Sequence, residues 1–181
     1  LNESGNGNTF LGIETGYNNT SASYNVFIGY RCGYNNTLGG VSEDQGHFNT
    51  FIGYESGLSN RTGAGNSFIG YQAGRANISG YNNTFIGPSA GLSQTSGNAN
   101  VFIGFKSGMN SNTATSNVCI GNYSGESLSG ANNVLLGTHA GKSIDGGTYN
   151  VCIGSTAGEN SNSSGNILIG FASGYDADGL N

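Results

Sequence analysis

An asparagine, a glycine four residues later and a second glycine four residues beyond that recur ten times in this chain, and no other feature limits its fold as tightly. The asparagines are Asn8, Asn25, Asn49, Asn66, Asn83, Asn100, Asn117, Asn133, Asn150 and Asn166. The first glycines run from Gly12 to Gly170, spaced 17, 24, 17, 17, 17, 17, 16, 17 and 16 residues apart, and the second from Gly16 to Gly174. A fixed period of this length is the mark of a stacked architecture in which each repeat buries its apolar residues only against its neighbours. Residues 1–181 therefore read as a single repeat array, with one insertion at 39–47 that projects from an otherwise even rod.

The residues ahead of each first glycine are short apolar runs such as Thr84-Phe85-Ile86. Polar stretches of Ser, Asn, Thr and Gly separate them, and good helix formers are scarce. The expected fold is all-β: a parallel β-roll or β-solenoid of ten coils. Strand side chains alternate, so the Ile column shares one face with the Thr/Val column, and the Phe column shares the other with Asn. Both faces are apolar, as in strands buried on two sides. Because a coil of about 17 residues is thin, the size of the side chains assigns Ile with Val and Thr to the coil interior. Phe is then assigned to an interface between chains, and a continuous Phe stripe implies self-association, as a homotrimer or a longer polymer. The ten asparagines are expected to form a ladder of stacked amides.

The run Asn83-Thr84-Phe85-Ile86-Gly87, and the wider pattern Asn-Thr-Phe-Ile-Gly-Tyr-x-Ala-Gly, resembles the β-roll arrays in the heads of trimeric autotransporter adhesins, and related arrays in bacterial surface proteins and phage tail fibres. The resemblance covers essentially the whole chain. It implies a homotrimeric parallel β-roll in an extracellular, cell-surface or virion fibre that contacts a host or surface.

Composition removes other classes. A formal charge of -5 with five scattered Lys and Arg offers no basic stripe, so no nucleic-acid partner is expected. No apolar run approaches the ~20 residues of a membrane span. The chain begins inside a repeat and reads as part of something longer. Cys119 and Cys152 share a column two repeats apart, beyond disulfide reach, and Cys32 lies in another column.

No enzyme is expected, and no catalytic residue, cofactor site or metal site is assigned. Gly137-Thr138-His139-Ala140-Gly141-Lys142-Ser143 has three residues between its glycines where a phosphate loop has four, and the repeat accounts for both glycines. Glu43, Asp44 and His47 form the one local cluster with acid–base capacity, and read as a solvated loop. Asp176 and Asp178 lack the repeated spacing of a calcium roll.

Sequons at Asn18, Asn35, Asn60 and Asn77 lie six or seven residues past a first glycine, on what reads as the loop edge, as candidate N-glycosylation sites. The functional expectation is a structural and adhesive fibre segment. The alternative is a ligand-binding solenoid for carbohydrate or ice, with Tyr30, Tyr54 and Tyr71 as a stacking platform. The mixture of Thr and Val in the best Thr column argues against ice.

Overall fold

The computed structural model describes residues 3–37 and 45–175. Ten three-residue strands form one parallel sheet in chain order. They are β1 (Thr9–Leu11), β2 (Val26–Ile28), β3 (Thr50–Ile52), β4 (Ser67–Ile69), β5 (Thr84–Ile86), β6 (Val101–Ile103), β7 (Val118–Ile120), β8 (Val134–Leu136), β9 (Val151–Ile153) and β10 (Ile167–Ile169). Equivalent residues pair in register along the sheet, as in Phe51↔Phe68 and Phe68↔Phe85. The molecule is a parallel β-solenoid, one strand per coil. The register of β2 on β3 is unbroken across the insertion; Gly39 to Asp44 of that insertion, with Glu43, lie outside the described residues, as do Asp176 and Asp178.

Left-handed backbone closes each coil. In the coil of β4, Gly70 has φ 138°, Gln72 54° and Gly74 57°. Successive turns carry the chain round the corner: Ala73 N–H donates to the Gly70 carbonyl at 3.3 Å, and Asn77 N–H to that of Gly74 at 3.0 Å. Gly70 must be glycine because a Cβ there would stand 2.6 Å from the carbonyl oxygen of Gly87 in the next coil. Beyond the corner the return leg bonds coil to coil, Gly74 N–H to the Ala90 carbonyl at 2.9 Å and Ala76 N–H to that of Leu92 at 3.0 Å. Backbone donors are thereby satisfied on the return leg as well as in the sheet.

The structure reverses the assignment of the strand faces. Phe27, Phe51, Phe68, Phe85 and Phe102 are fully buried within the single chain, as are Cys119, Leu135 and Cys152 in the same column. The Ile column is the outer one: Ile69 and Ile86 are each 37% exposed, and the Thr/Val column beside it is half-buried.

Side-chain size misplaces the two faces because the space for a ring is set by what stands opposite it. A Cβ on Gly57, at the second glycine position, would come within 2.5 Å of the Phe51 ring, and the same holds for Gly74 with Phe68 and Gly91 with Phe85. The second glycine is the space that the phenyl ring occupies. Stacked flat, each ring needs only one coil of height: centroids are 4.8 Å apart from Phe51 to Phe68 and from Phe68 to Phe85, with planes 5–6° from parallel. The small residue before the second glycine is interior from β2 to β9, and the Ser56, Ser107 and Ser124 hydroxyls donate to a strand carbonyl of the next coil, Ser56 to Phe68 at 3.0 Å.

Candidate functional site

Side chains with chemical capacity fall into three groups: interior amides, a charged edge and exposed aromatic rings. In the first, each asparagine N–H from Asn25 to Asn166 donates to the Oδ1 of the asparagine one coil earlier, at 2.9–3.0 Å. The Nδ2 group reaches across the coil to the return leg. That of Asn66 donates to the Gly80 carbonyl at 2.7 Å, and that of Asn83 to Gly97 at 2.8 Å. Asn8 does the same to Ala22 at 2.8 Å. Asn25 Nδ2 is buried without a partner, in the coil whose return leg carries the insertion. These amides tie the strand to the return leg. They present nothing to a ligand.

A second interior ladder runs parallel to it and was missed as such. Asn19, Asn36, Asn60 and Asn77 are fully buried. Asn77 Nδ2 donates to Asn60 Oδ1 at 2.6 Å, and Asn60 Nδ2 to Asn36 Oδ1 at 2.7 Å. Their constant place seven residues past the first glycine was the available signal. This corrects the glycosylation reading at Asn60 and Asn77, because an enclosed amide has no room for a sugar. Asn18 and Asn35, one residue earlier in their coils, are half-buried, and Asn18 Nδ2 donates to Asn35 Oδ1 at 2.8 Å.

Ion pairs lie along the corner after the first glycine: Arg31 with Glu14 at 2.7 Å, Arg75 with Glu55 at 2.8 Å and Lys142 with Glu126 at 3.9 Å. Burial acts to raise the Glu55 carboxyl, but hydrogen bonds from Arg75 and Gln72 and the Arg75 charge outweigh it and hold it below its ordinary value. The Glu55 charge in turn raises the neighbouring Tyr54 phenol.

The three cysteines are free and buried. Burial pushes the Cys32 thiol up to about 12 and the Cys152 thiol up to about 11, and raises Cys119 as well. No thiolate nucleophile is available to chemistry at ordinary pH. Among the described residues no group of three His, Cys, Asp or Glu side chains is placed to hold a metal ion. His47 does not stand free in a loop: its Nδ1 accepts from the Ser23 N–H at 3.1 Å. His139 lies on the corner edge, its ring edge-on to Tyr123 at 5.2 Å.

Surface rings stack from coil to coil, Tyr17 on Tyr34 at 5.0 Å among them, and two of these ladders differ in character. Tyr30, Tyr54 and Tyr71 stack on one another at 5.3 and 5.4 Å, so their faces are largely turned to each other rather than to solvent. Tyr24 and Phe48 stack at 5.3 Å in the column just before the asparagines, and that stack ends at Gly65. A cleft of about 600 Å³ opens there, lined by Gln45, Phe48, Thr62, Ala64, Gly65, Ser79, Tyr81 and Asn82.

The sheet's outer face is the other large feature. Each strand presents two side chains outward, a Thr, Ser, Val or Ile and then an Ile or Leu, and none of them carries a charge.

Fold and surface together define the class: a parallel β-solenoid repeat protein with amide ladders inside and one uncharged, mostly apolar sheet face outside. Comparison with family models, with curated proteins and with solved structures gives no match for this chain. No helix among the described residues is long and apolar enough to cross a membrane.

Proposed function

We propose that the chain is a structural and adhesive segment of an extracellular fibre, in which copies of the chain associate through the outer sheet face. The homotrimer is the first assembly expected and a longer polymer the second. One observation carries the reading: ten in-register strands expose an uncharged face that is mostly apolar. At ~4.8 Å per strand and ~10 Å of width, that face covers on the order of 400–500 Å², the scale at which an exposed apolar patch marks an interaction site. Three such faces meeting about a common axis bury one another and close the assembly, leaving the corner edges for contact with a host surface. The resemblance to adhesin heads and tail fibres points the same way.

The surface that associates is the Ile column and not, as the sequence suggested, the Phe column. Replacing Phe68, Phe85 and Phe102 by Ser would therefore unfold coils rather than separate chains. The proper test is Ile69→Lys with Ile86→Lys and Ile103→Lys, read by analytical ultracentrifugation. The parent should sediment as an oligomer and the triple variant as a folded monomer with unchanged β circular dichroism. A parent chain that stays monomeric at 100-fold the concentration of a ~1 μM stock rules the association out.

A further inference from the structure

The cleft at the end of the Tyr24–Phe48 stack has the chemistry of a sugar site. Parallel stacking of Phe48 on Tyr24, with planes 4° apart, covers one face of the Phe48 ring. The other face looks along the rod toward the next coil, where the same column holds Gly65 and the residue before it is Ala64. Two small residues thus leave a gap one coil high. In the coil beyond it the column holds Asn82, and Tyr81 beside it, which also lines the cleft, is 51% exposed with no aromatic partner among the described residues.

Between these two rings the cleft offers the amides of Gln45 and Asn82 and the hydroxyls of Thr62 and Ser79. The buried Gln45 Oε1 has no hydrogen-bond partner among the described residues. None of the described lining residues is charged.

We propose that this cleft binds a neutral saccharide, one pyranose ring taking the place in the stack that an aromatic side chain at position 65 would have filled. A pyranose has an apolar C–H face that packs on an aromatic ring, as Phe48 requires, and equatorial hydroxyls that pair with amides and hydroxyls at its rim. Carboxylated sugars are disfavoured because the described lining residues include no cation and the chain's formal charge is -5. About 600 Å³ suits a short oligosaccharide, within the usual range for small-ligand sites. The Tyr30–Tyr54–Tyr71 ladder is the poorer platform because its rings cover each other's faces.

Gly65 supplies a discriminating variant. Its φ of 66° is the conformation that Tyr24 and Phe48 already adopt in the same column, at 59° and 58°. A Cβ there meets only the end of the Asn82 side chain, at 2.6 Å, which can swing away. Gly65→Tyr should therefore extend the stack and fill the gap without unfolding the coil. The full chain is titrated calorimetrically with maltotetraose, cellotetraose and chitotetraose, and with a sialylated tetrasaccharide. At least one neutral sugar should bind with a dissociation constant below about 1 mM and the sialylated one at least tenfold more weakly. Gly65→Tyr and Tyr81→Ala should each weaken the neutral sugar at least tenfold with the thermal midpoint unchanged, while Tyr54→Ala should leave binding as it was. Absence of binding by all three neutral sugars overturns the proposal. So does binding that survives Gly65→Tyr, or that is lost with Tyr54→Ala. If Gly65→Tyr lowers the midpoint, Tyr81→Ala, which removes only an exposed ring, decides. The oligomeric state enters none of these readings.

Discussion

The first and second halves of the rod fill one backbone shape in two ways. From β2 to β6 the inward strand residue is phenylalanine, and the column seven residues past the first glycine is polar: Asn36, Asn60, Asn77, Gln94 and Ser111, all buried. From β7 to β9 the strand residue shrinks to Cys119, Leu135 and Cys152, and the facing column becomes Leu128, Ile144 and Ser161, also buried. Leu128 and Ile144 fill the space that a smaller strand residue leaves, since a Cβ on Gly125 would meet Cys119, Leu135 and Leu128, and one on Gly141 would meet Leu135 and Ile144. In the coils of β7 and β8 volume moves from one interior column to the other, the exchange that packed cores tolerate best, whereas in that of β9 both Cys152 and Ser161 are small. Both halves keep the asparagine ladder and the two glycines. The backbone is thus specified by amides and glycines, and the core has only to fill it.

This contrast is sharpest in the inward strand residue itself. Phe68→Ala or Phe85→Ala removes one ring from a stack of parallel neighbours and should cost about 3–5 kcal/mol. Cys119→Ala removes a single sulfur and should cost about 1 kcal/mol. Urea melts followed by circular dichroism measure both. Equal losses would mean that the second half is packed as tightly around its sulfur as the first is around its rings, and the two-solution account would fail.

A smaller effect comes from converting one half into the other. Cys119→Phe alone overfills its coil against Leu128 and should destabilise by about 1–3 kcal/mol. Cys119→Phe with Leu128→Ser rebuilds the pairing of Phe102 with Ser111 in the coil before, where Gly108 makes the same room for a ring that Gly125 would. The double variant should recover most of the loss, a coupling of about 1–2 kcal/mol in a double-mutant cycle. Additive losses would show that the two columns do not share one space.

That exchange was already visible in the amino-acid sequence, and it bears on how much could be read there. The period, the short strands, the parallel stack and the alignment of the asparagines follow from spacing alone. Alternation also placed Phe and Asn on one face and Ile with Val on the other. It could not say which face was inside, because parity is blind to sidedness and side-chain size pointed to the wrong face.

The deciding signal was compensation. Where Phe102 gives way to Cys119 and Leu135, the column holding Ser111 switches to Leu128 and Ile144, whereas the Ile column keeps its side-chain volume through Ile103, Ile120 and Leu136. Columns that change together share a space, and an exposed column has nothing to compensate. The cleft was not legible, because it depends on two small residues, Ala64 and Gly65, falling between rings contributed by different coils.

The ladder common to both halves makes the opposite forecast, one of equality. Asn83→Ala and Asn133→Ala each remove an Oδ1 that accepts the next coil's N–H, at 3.0 and 2.9 Å, and an Nδ2 that reaches the return leg, at 2.8 and 3.0 Å. Each should cost about 1–2 kcal/mol, the range for a buried hydrogen-bonding group that leaves its partners unpaired. A difference of more than about 1 kcal/mol between them would mean that the core filling, and not the ladder, sets how firmly the strand is held.

The smallest difference between the halves lies in their ion pairs. Glu55 is nearly enclosed, with 10% of its side chain exposed, and holds Arg75 at 2.8 Å, whereas Glu126 and Lys142 approach only to 3.9 Å. The folded-state Glu55 carboxyl lies below its ordinary value of 4.5. A depressed carboxyl contributes stability that is fully present above the unfolded value and is lost as pH falls through the folded one, because the unfolded chain takes up the proton first. Half of the pair is open to solvent, with the Arg75 side chain 42% exposed, so screening keeps the contribution to about 0.5–1 kcal/mol. Thermal midpoints measured from pH 7 to pH 3 should therefore fall more steeply for the parent than for Glu55→Gln, the two curves converging below pH 4. At pH 7 Glu126→Gln should lower the midpoint by less than Glu55→Gln does, because Lys142 lies 3.9 Å away. A Glu55→Gln curve parallel to the parent's would show that the enclosed carboxylate adds no more than its looser counterpart in the second half.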